Sequence, residues 1–527
     1  MAEVLLPPDI CPESETIELV DDGSVPFSPV QGKAVEQTQQ YYEPRLRVVQ
    51  RFRALRGSDK ARMISALRRL SGRYGLLRAQ VGRVQRGSFP ATELLTNNTF
   101  ADGTTGWTAA NGVLTISDRV ARLTATTPAA SVQVYRTYTP PVANVPLAMR
   151  SMIVDGAQTP GLSIGPFLGA GNNGLNGYST TRGLVKISAV CDDSGAQTAF
   201  PVVFGSSTNF TAGAYVDFPY TSLSRCMLVD NGANLHTYSD QFDNAAYTAA
   251  NITVTANSVA APDGNVTADR LAETAANVAH YLESTSGLTV PAAAADFSLS
   301  VALKSYGARQ WAYILVSEGA GSSSMYQTFD LINGVKGTAM SAGANWSNVR
   351  THITALGDGW YKCSITGRKT NAATTLKIAI APSGGDNGTN FLGTATTGIY
   401  AWRATLAQSS VPTRLVQSTS AAVAASAQTG SALHVKGLPA STSGLLTADD
   451  VCEVNGELLQ LTASLDSDAA GLGYLQFAPS LFRSPADNDP IIVNAPMPKM
   501  KLVGNAKWSN EWGVQSDLEL TMDMIYE

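Results

Sequence analysis

Charged side chains are scarce in this sequence. Asp, Glu, Lys and Arg make up 15% of the 527 residues, whereas globular domains average about 25%. No run of 18 uncharged apolar residues occurs, and the opening MAEVLLPPDI has neither a basic start nor a long apolar stretch. These absences argue against a coiled coil, a membrane-spanning helix and a secretory leader. We therefore expect a soluble protein that is made in a reducing cytoplasm.

Cysteine, histidine and catalytic motifs are also sparse. The cysteines are five in number, scattered, and without CxxC spacing: Cys11, Cys191, Cys226, Cys363 and Cys452. Buried reduced thiols are expected, and neither a zinc site nor a disulfide framework is indicated. The histidines, for which surface or strand-end positions are expected, form no HExxH or HxH motif: His236, His280, His352 and His434. GxSxG, Walker A and strand-linked GxGxxG motifs are absent, and no helix pattern follows the Gly-rich run at 169–177, so it is interpreted as a loop.

Small and polar residues take the place of charge. Ala, Ser, Thr, Asn and Gly are abundant from about residue 91 onward, and this mixture favours strands and turns. Alternation of apolar and polar residues predicts antiparallel strands at 131–139, 297–304, 376–381 and 518–524. The length of 527 residues is too great for one core. We expect a mainly all-β protein of about three domains.

Positive charge is concentrated near the N-terminus. Residues 33–86 carry a net charge of +11, so the remainder carries −16 within the total of −5. Such asymmetry suggests an oriented interface. Within this segment, period-2 alternation predicts a strand with an apolar face and a basic face. The basic face contains Arg45, Arg47, Arg51 and Arg53.

These four arginines have three alternative interpretations. They could contact DNA passing through a tube, contact the negative surface of an adjoining protein ring, or form an ordinary solvated face. No interleaved aromatic residues or nucleic-acid motif accompany them. Sequence-specific nucleic-acid binding is therefore not expected.

The segment after the basic strand predicts the clearest helix of the chain. Ser58 can cap its N-terminus, and Gly72 lies just beyond its C-terminus. Its apolar residues recur at helical spacing: Met63, Ile64, Leu67 and Leu70.

A faint internal repeat spans a whole domain. Three segments of the first half are echoed in order by three of the second: LTNNTF (95–100), WTAAN (107–111) and RLT (122–124), against LHTYSDQF (235–242), YTAAN (247–251) and RLAE (270–273). The aligned phenylalanines lie 142 residues apart, which is too far for a solenoid repeat. A low-complexity connector follows at 418–431.

The second copy of this repeat resembles carbohydrate-binding-module-like jelly rolls that are frequent in phage virion proteins. The resemblance covers about residues 231–417. It rests on these segments, taken in order: NLHTYSDQFDNAAY (234–247), APDG (261–264), ADRL (268–271), DGWYKC (358–363), GIYAW (398–402) and VPT (411–413). The resemblance implies a jelly-roll β-sandwich, and the first copy is similar in its opening motifs.

The two ends of the chain resemble another family. The strand and helix of residues 46–77, with VNG (454–456) and the final LTMDM (520–524), are similar to tail-tip proteins of long-tailed phages, and above all to distal tail proteins. That resemblance implies a β-barrel that oligomerises as a ring. This sequence departs from the family pattern by its inserted modules, which a barrel can accept because closure entropy rises slowly with loop length.

The resulting division has three parts. A split tail-tip β-barrel domain with one helix comprises residues 1–90 and 425–527. The first jelly-roll module spans 91–230, and the second, carbohydrate-binding-like module spans 231–424.

Sugar binding requires exposed flat aromatic rings with polar groups nearby. In the second module, Trp360, Tyr361 and Trp402 fall in strand motifs of the family and are expected in the core. The candidate carbohydrate-binding residues are Trp311, Tyr313, Tyr326 and Trp346.

Two further chemistries are open in the same module. Paired carboxylates could support glycoside hydrolysis, for which six aspartates are available: Asp240, Asp243, Asp263, Asp269, Asp358 and Asp386. Oxygen ligands in Pro262-Asp-Gly-Asn265 and in residues 383–389 could hold a structural calcium ion, although neither segment has EF-hand spacing. No other cofactor is implied.

The sequence thus predicts a non-enzymatic structural protein of a phage tail tip, located in the virion. It would form a homo-oligomer, as a hexameric ring, beside tail-tube and tail-tip hub proteins, and its modules would contact a host-surface glycan. The alternatives are a glycan-degrading tail enzyme and a capsid decoration protein or adhesin.

Overall fold

A computed structural model of the chain shows a mainly β protein. It describes the following residues: 3–20, 44–70, 75–82, 86–91, 93–126, 132–138, 145–157, 164–168, 172–174, 183–191, 197–204, 212–318, 323–386, 388–504, 506–511 and 515–525. The Gly-rich run at 169–177 lies largely outside them. Within these residues, no helix has the length and apolar character needed to cross a membrane.

The N-terminal part contributes four strands and one helix. They are β1 (Glu3–Leu5), β2 (Ser14–Val20), β3 (Arg45–Leu55), α1 (Gly57–Arg69) and β4 (Leu76–Arg78). The predicted helix is confirmed, but its N-cap is Arg56 and makes no side-chain capping hydrogen bond. The predicted capping role of Ser58 is therefore wrong. On β3, Leu46, Val48 and Phe52 are buried and alternate with the arginines, as predicted.

Module one, residues 91–230, consists of short strands. They are β5 (Thr108–Ala110), β6 (Gly112–Ser117), β7 (Val120–Ala125), β8 (Val132–Tyr138), β9 (Pro146–Ile153), β10 (Asp155–Ala157), β11 (Ile164–Leu168), β12 (Asn172–Gly174), β13 (Gly183–Cys191), β14 (Gln197–Phe204), β15 (Tyr215–Phe218) and β16 (Tyr220–Arg225). Three four-stranded sheets result: β10-β15-β7-β6, β11-β14-β8-β5 and β12-β13-β9-β16.

The strand β17 (Met227–Val229) precedes module two, residues 231–424. The strands of module two are β18 (Tyr247–Ala250), β19 (Ile252–Ala260), β20 (Val266–Glu273), β21 (Asn277–Ala279), β22 (Tyr281–Ser284), β23 (Leu288–Thr289), β24 (Ala295–Tyr306), β25 (Trp311–Glu318), β26 (Ser324–Asp330), β27 (Val335–Ala342), β28 (Trp346–Gly357), β29 (Trp360–Lys369), β30 (Thr375–Ser383), β31 (Asn390–Leu392) and β32 (Gly398–Ala407).

The C-terminal part adds eight strands. They are β33 (Gly430–Lys436), β34 (Val451–Val454), β35 (Glu457–Leu461), β36 (Leu472–Leu481), β37 (Pro490–Ile492), β38 (Lys499–Leu502), β39 (Lys507–Glu511) and β40 (Gln515–Met524). The strands predicted at 131–139, 297–304, 376–381 and 518–524 correspond to β8, β24, β30 and β40, so these predictions are confirmed.

The two ends of the chain pair in one open sheet, in the order β1-β4-β38-β40-β3-β2 with β39 beside β40. Helix α1 packs on this terminal sheet through Met63 and Ala66, which are buried in its core. A separate closed barrel has the order β17-β33-β36-β35-β34-β37. The mainly β fold class with a barrel and a helix is therefore confirmed. The barrel strands, however, come from residues 227–229 and 430–492, because the N-terminal strands pair with β38 and β40 instead.

Module two is a β-sandwich. Its seven-stranded sheet runs β18-β22-β30-β25-β26-β27 with β23 beside β30, and its six-stranded sheet runs β19-β20-β32-β24-β29-β28. Apolar residues from both sheets meet in one core, including Leu299 and Val301 of β24 and Ile314 and Val316 of β25. Burial of this core provides the main driving force for the sandwich. The opposite face of each sheet points away from this core.

Buried charges join module one to the scaffold. Glu453 of β34 is fully buried and forms an ion pair with Lys186 of β13. Arg78 of β4 lies 4.0 Å from the same carboxylate and forms a second ion pair with Glu3 at 3.1 Å. Although burial acts to raise it, the charges of Lys186 and Arg78 lower the pKa of Glu453 to about 2. Module one, the barrel and the terminal sheet therefore meet at one ionic junction.

The low-complexity connector is hydrogen-bonded to the body of the protein. Asn234 and Val423 exchange backbone hydrogen bonds of 2.9 and 2.8 Å, and Ser426 donates its backbone N–H to Asn231 at 3.0 Å. Ser418 is buried. Despite its simple composition, the connector is therefore held against the body of the protein.

Candidate functional site

Three of the four predicted sugar-binding residues lie on the outward face of the seven-stranded sheet. Trp311 and Tyr313 on β25 alternate with Ala312 and Ile314, which are buried in the core. On β26, Tyr326 occupies the same outward face. The rings of Tyr313 and Tyr326 contact each other edge to face, with centroids 6.2 Å apart. The period of two along each strand and the register between the strands bring these aromatics together.

A floor of small residues lies beside the rings. Ala381 and Ala379 of β30 stand opposite Tyr313 and Leu315 of β25. Both alanines are buried. The outward face is therefore lower along β30 than along β25.

The far side of this floor is polar. Glu283 of β22 stands opposite Ala379, and its Oε2 lies 3.1 Å from Lys377 Nζ. Both side chains are partly exposed, with relative accessibilities of 31% for Glu283 and 24% for Lys377. Carboxylate oxygens and ammonium hydrogens can bond to sugar hydroxyls while rings stack on the sugar's apolar face.

The loop after β30 closes one end of the face. Asp386 accepts hydrogen bonds from Thr328 Oγ1 at 2.7 Å and from the backbone N–H of Thr338 at 2.8 Å. Tyr313, opposite Thr328 in the register, is only 6% exposed. Burial raises the pKa of Tyr313 to about 12. Trp311 and Tyr326, which are half-buried, offer more ring surface than Tyr313.

Trp346 does not belong to this face, which corrects the predicted set. It is the first residue of β28, is 5% exposed, and packs in the core between the two sheets. A Cβ atom added at Gly367 would come close to both Trp346 and Met325, so this part of the core is tightly packed. Trp360 and Trp402 are buried, at 2% and 4% exposed, but they lie in a small cluster with Ala261, Ala268 and Ala302 and not in the core between the two sheets.

The predicted basic face on β3 is paired with acids of its own sheet. Arg45 and Arg47 both contact Asp523 of β40, at 3.0 and 2.7 Å. The two remaining arginines pair with other carboxylates: Arg51 with Glu519 at 2.8 Å and Arg53 with Glu13 at 2.9 Å. Three carboxylates thus form ion pairs with four guanidinium groups. This surface, the mixed-charge face of β3, therefore carries both positive and negative side chains. Its role in assembly stays a prediction.

Of the six aspartates available for hydrolysis, Asp240 and Asp263 are turned toward one cation. Arg403 Nη2 lies 3.5 Å from Asp240 Oδ2 and 3.9 Å from Asp263 Oδ2. Asp269 is buried and accepts the backbone N–H groups of Phe242 and Asn257 at 2.8 Å each. Burial raises the pKa of Asp269 to about 6, and its bonds hold the Phe242 segment and the irregular part of β19 in place. These contacts give Asp240, Asp263 and Asp269 structural partners.

The two segments considered for calcium show other contacts. Asp386 is bonded to Thr328 and Thr338, and Asp263 accepts the backbone N–H of Asn265 within its own turn. Across the described ranges, no cluster of three or more His, Cys, Asp or Glu residues could hold a metal ion.

The histidines are less exposed than predicted. His236 and His280 are 1% and 0% exposed, so a surface role is wrong for both. His280 lies at a strand end, as predicted, and its Nδ1 is 2.7 Å from the carbonyl oxygen of Asn251. Among the cysteines, Cys226, Cys363 and Cys452 are buried as expected, whereas Cys11 is exposed.

Sequence reasoning missed Glu283, Lys377 and the alanine floor. The alternation at 376–381 predicted strand β30, but it could not show that β30 lies between β22 and β25. That neighbourhood depends on pairings between residues about 60 to 100 positions apart in the chain. The only local signal was Lys377, which stands between Leu376 and Ile378 in that alternation.

Comparisons with known proteins assign no family. No family model and no curated protein matches the chain. Among solved structures, it is similar to the N-terminal tandem CBM22 domain of Xyn10C from Paenibacillus barcinonensis, with 10% identity and a TM-score of 0.21. That match covers 62% of this chain and 100% of the other. At so low a TM-score, it assigns no function to this chain.

Proposed function

We propose that this chain is a non-enzymatic structural protein that presents module two for carbohydrate binding. The observation that carries the proposal is the outward face of the seven-stranded sheet, where Trp311, Tyr313 and Tyr326 stand beside the Glu283–Lys377 pair. Rings and charged groups on opposite sides of an alanine floor suit a sugar, which has apolar faces and hydroxyl edges. Trp311 and Tyr326 stack on the sugar, and Glu283 and Lys377 bond its hydroxyls.

The scaffold in this proposal is the tail tip of a long-tailed phage. Support comes from the terminal sheet, in which both ends of the chain pair, so that the two modules lie between its N-terminal and C-terminal strands in the sequence. The chain is made in the bacterial host cytoplasm and assembles in the virion as a homo-oligomeric ring. The ring contacts tail-tube and hub proteins, and the mixed-charge face of β3 is its candidate contact surface.

Carbohydrate binding is tested by titrating the full chain against a panel of host lipopolysaccharide and capsule glycans. Trp311→Ala and Tyr326→Ala should each weaken binding by about tenfold or more, as expected for aromatic anchors worth roughly 2 kcal/mol. Tyr474→Ala is the matched control, because Tyr474 is 47% exposed on the barrel strand β36. Binding that survives both module-two substitutions would contradict the assignment of this face.

The tail-tip role is tested by the solution mass of the full chain. A ring of about six copies supports the proposal, and the mixed-charge face makes its assembly sensitive to salt. A monomer or trimer at micromolar concentration would favour an adhesin or decoration protein instead.

A further inference from the structure

A second polar and aromatic surface lies on the other sheet of module two. Arg270 of β20 stands directly opposite Tyr400 of β32, which stands opposite Lys304 of β24, which stands opposite Trp360 of β29. The residues that alternate with this row along the strands are buried in the core: Leu271, Ile399 and Leu303. The row therefore faces away from the core, on the outward face of the six-stranded sheet.

The side chains of the row form a connected cluster with Tyr306, the last residue of β24. The guanidinium carbon of Arg270 lies 5.1 Å from the centroid of the Tyr306 ring, and the rings of Tyr306 and Tyr400 are 5.4 Å apart. Lys304 Nζ lies 6.0 Å from the centroid of the Trp360 ring. Trp360 is buried, whereas the other four side chains are half-buried and reach solvent.

Among the described residues, neither cation of the cluster has an anionic partner. Within the described part of the chain, no carboxylate oxygen lies within 4.0 Å of Arg270 or Lys304. Arg270 donates instead to two neutral hydroxyls, Thr255 Oγ1 at 3.0 Å and Tyr306 Oη at 3.5 Å. Arg270 and Lys304 lie on strands on either side of Tyr400. Positive charges without a carboxylate attract an anion from solution.

Module one shows the same position with its charge compensated. Arg122 of β7 occupies the place of Arg270 in the internal repeat, and it stands opposite Asp217 of β15. It donates to both oxygens of Asp217, at 2.7 Å each, and this bond raises the pKa of Arg122. The strand order β6-β7-β15 corresponds to β19-β20-β32. Tyr400 therefore stands where module one has the neutralising Asp217.

We propose that Arg270, Lys304, Tyr306 and Tyr400 form a second binding site for a saccharide that carries a negatively charged group. The guanidinium and ammonium groups bind the anion, a carboxylate or a phosphate. The tyrosine rings contact the sugar ring that bears it. This site differs from the outward face of the seven-stranded sheet, and it does not depend on Trp311 or Tyr326.

The test is calorimetric titration of the full chain with three probes: a trisaccharide of galacturonic acid, its neutral galactose counterpart, and glucose 6-phosphate. Binding of either acidic probe, with weakening by salt and little binding of the neutral one, is expected. Arg270→Gln and Tyr400→Asp should each weaken it roughly tenfold to hundredfold, the range for loss of a hydrogen bond to a charged group. Tyr400→Asp recreates the pairing of module one, and Arg122→Gln is the matched control that should leave binding unchanged.

Several results would overturn the proposal. Equal binding of acidic and neutral probes would do so, as would a folded Tyr400→Asp variant with unchanged affinity. Loss of acidic-probe binding in Trp311→Ala but not in Arg270→Gln would place the ligand on the seven-stranded sheet. Self-association that Arg270→Gln abolishes, without saccharide binding, would identify a second copy of the chain as the occupant. If Tyr400→Asp does not fold, Lys304→Gln on the adjacent strand provides the same test.

Discussion

Modules one and two are two versions of one β-framework. Asn111 and Asn251 adopt positive φ values of 57° and 55° at the same turn of the repeat. Each accepts a backbone hydrogen bond from the residue after the equivalent strand: Thr126 at 3.3 Å and Thr274 at 3.0 Å. The aromatic pair behind that turn also recurs, with ring centroids 5.5 Å apart for Phe100–Trp107 and 5.2 Å apart for Phe242–Tyr247. The faint sequence repeat thus marks a shared architecture.

The two modules use charge differently. In module one, Arg122 forms an ion pair with Asp217, and Lys186 forms an ion pair with Glu453 at the ionic junction. In module two, the equivalent Arg270 faces Tyr400 and keeps its charge available. A single strand position therefore decides whether this arginine is paired with a carboxylate of its own module. Module one is joined to the scaffold by buried charge, and module two is the part for which we propose ligand binding.

The largest expected effect concerns the joint. Glu453→Gln leaves Lys186 and Arg78 without their shared carboxylate, and breaking a buried pair in this way costs about 3–5 kcal/mol. Thermal unfolding of the full chain should show a lowered transition for module one and the barrel. Glu519→Gln, which removes an exposed partner of Arg51, is the control and should change the transition little. Equal effects of the two substitutions would refute a joint made of buried charge.

Trp346 and Trp311 allow a comparison between core and surface within module two. Trp346→Ala removes a ring from the filled core and should destabilise the module by about 3–5 kcal/mol. Trp311→Ala removes a half-buried ring on the outward face and should cost far less stability while weakening glycan binding. Denaturant unfolding paired with glycan titration checks both. Similar losses of stability would show that Trp311 is a packing residue.

Acid should destabilise module two more than module one. Burial lowers the pKa of His236 to about 4 in the folded state, from 6.5, and burial with nearby Lys336 and Arg350 does the same for His352. Between pH 6.5 and 4 the unfolded chain binds more protons, so stability falls as the pH falls, by roughly 3 kcal/mol per histidine. Asp269, with its pKa raised to about 6, acts in the opposite direction between pH 6 and 3.8 and offsets about one histidine.

Module one, residues 91–230, contains no histidine. Hydrogen exchange at pH 7 and pH 5 should therefore show a greater loss of protection in module two. His236→Gln should reduce that loss. A uniform response of both modules would contradict this account of the buried histidines.

The smallest expected effect is the transfer of acidic-saccharide binding from module two to module one. Asp217→Tyr gives Arg122 the partner that Arg270 has, so module one should gain weak, salt-sensitive binding of the galacturonic acid trisaccharide. Calorimetry against the unchanged chain measures the gain. A folded variant without any gain would show that the lysine and second tyrosine of module two are indispensable.

The sequence supported prediction where the signal was local. Alternation placed the arginines of β3 on one face and found β24, β30 and β40, and helical spacing found α1. Long-range pairing was hidden, so the acids opposite Arg47 and Arg51, which lie 476 and 468 residues away, could not be anticipated. The strands of the barrel could not be predicted for the same reason. β17 is a three-residue strand at the end of module one, and its pairing with β33 and β37 leaves no periodic pattern in the sequence.

The candidate site was found in part. Trp311, Tyr313 and Tyr326 were selected as aromatics outside the family motifs, and the structure groups them. Trp346 met the same criterion yet is buried, because a strand's sequence does not reveal which of its faces meets the opposite sheet. Arg270 and Tyr400 lie in motifs of the family resemblance, and only the register between β20 and β32 shows that they face each other.

The claim that module two, and not module one, binds glycans is tested most directly by hydrogen exchange of the full chain with and without a glycan that it binds. The account predicts added protection in module two alone, on β25, β26 and β30 for a neutral glycan. Protection that appears on module one, or in neither module, would contradict it.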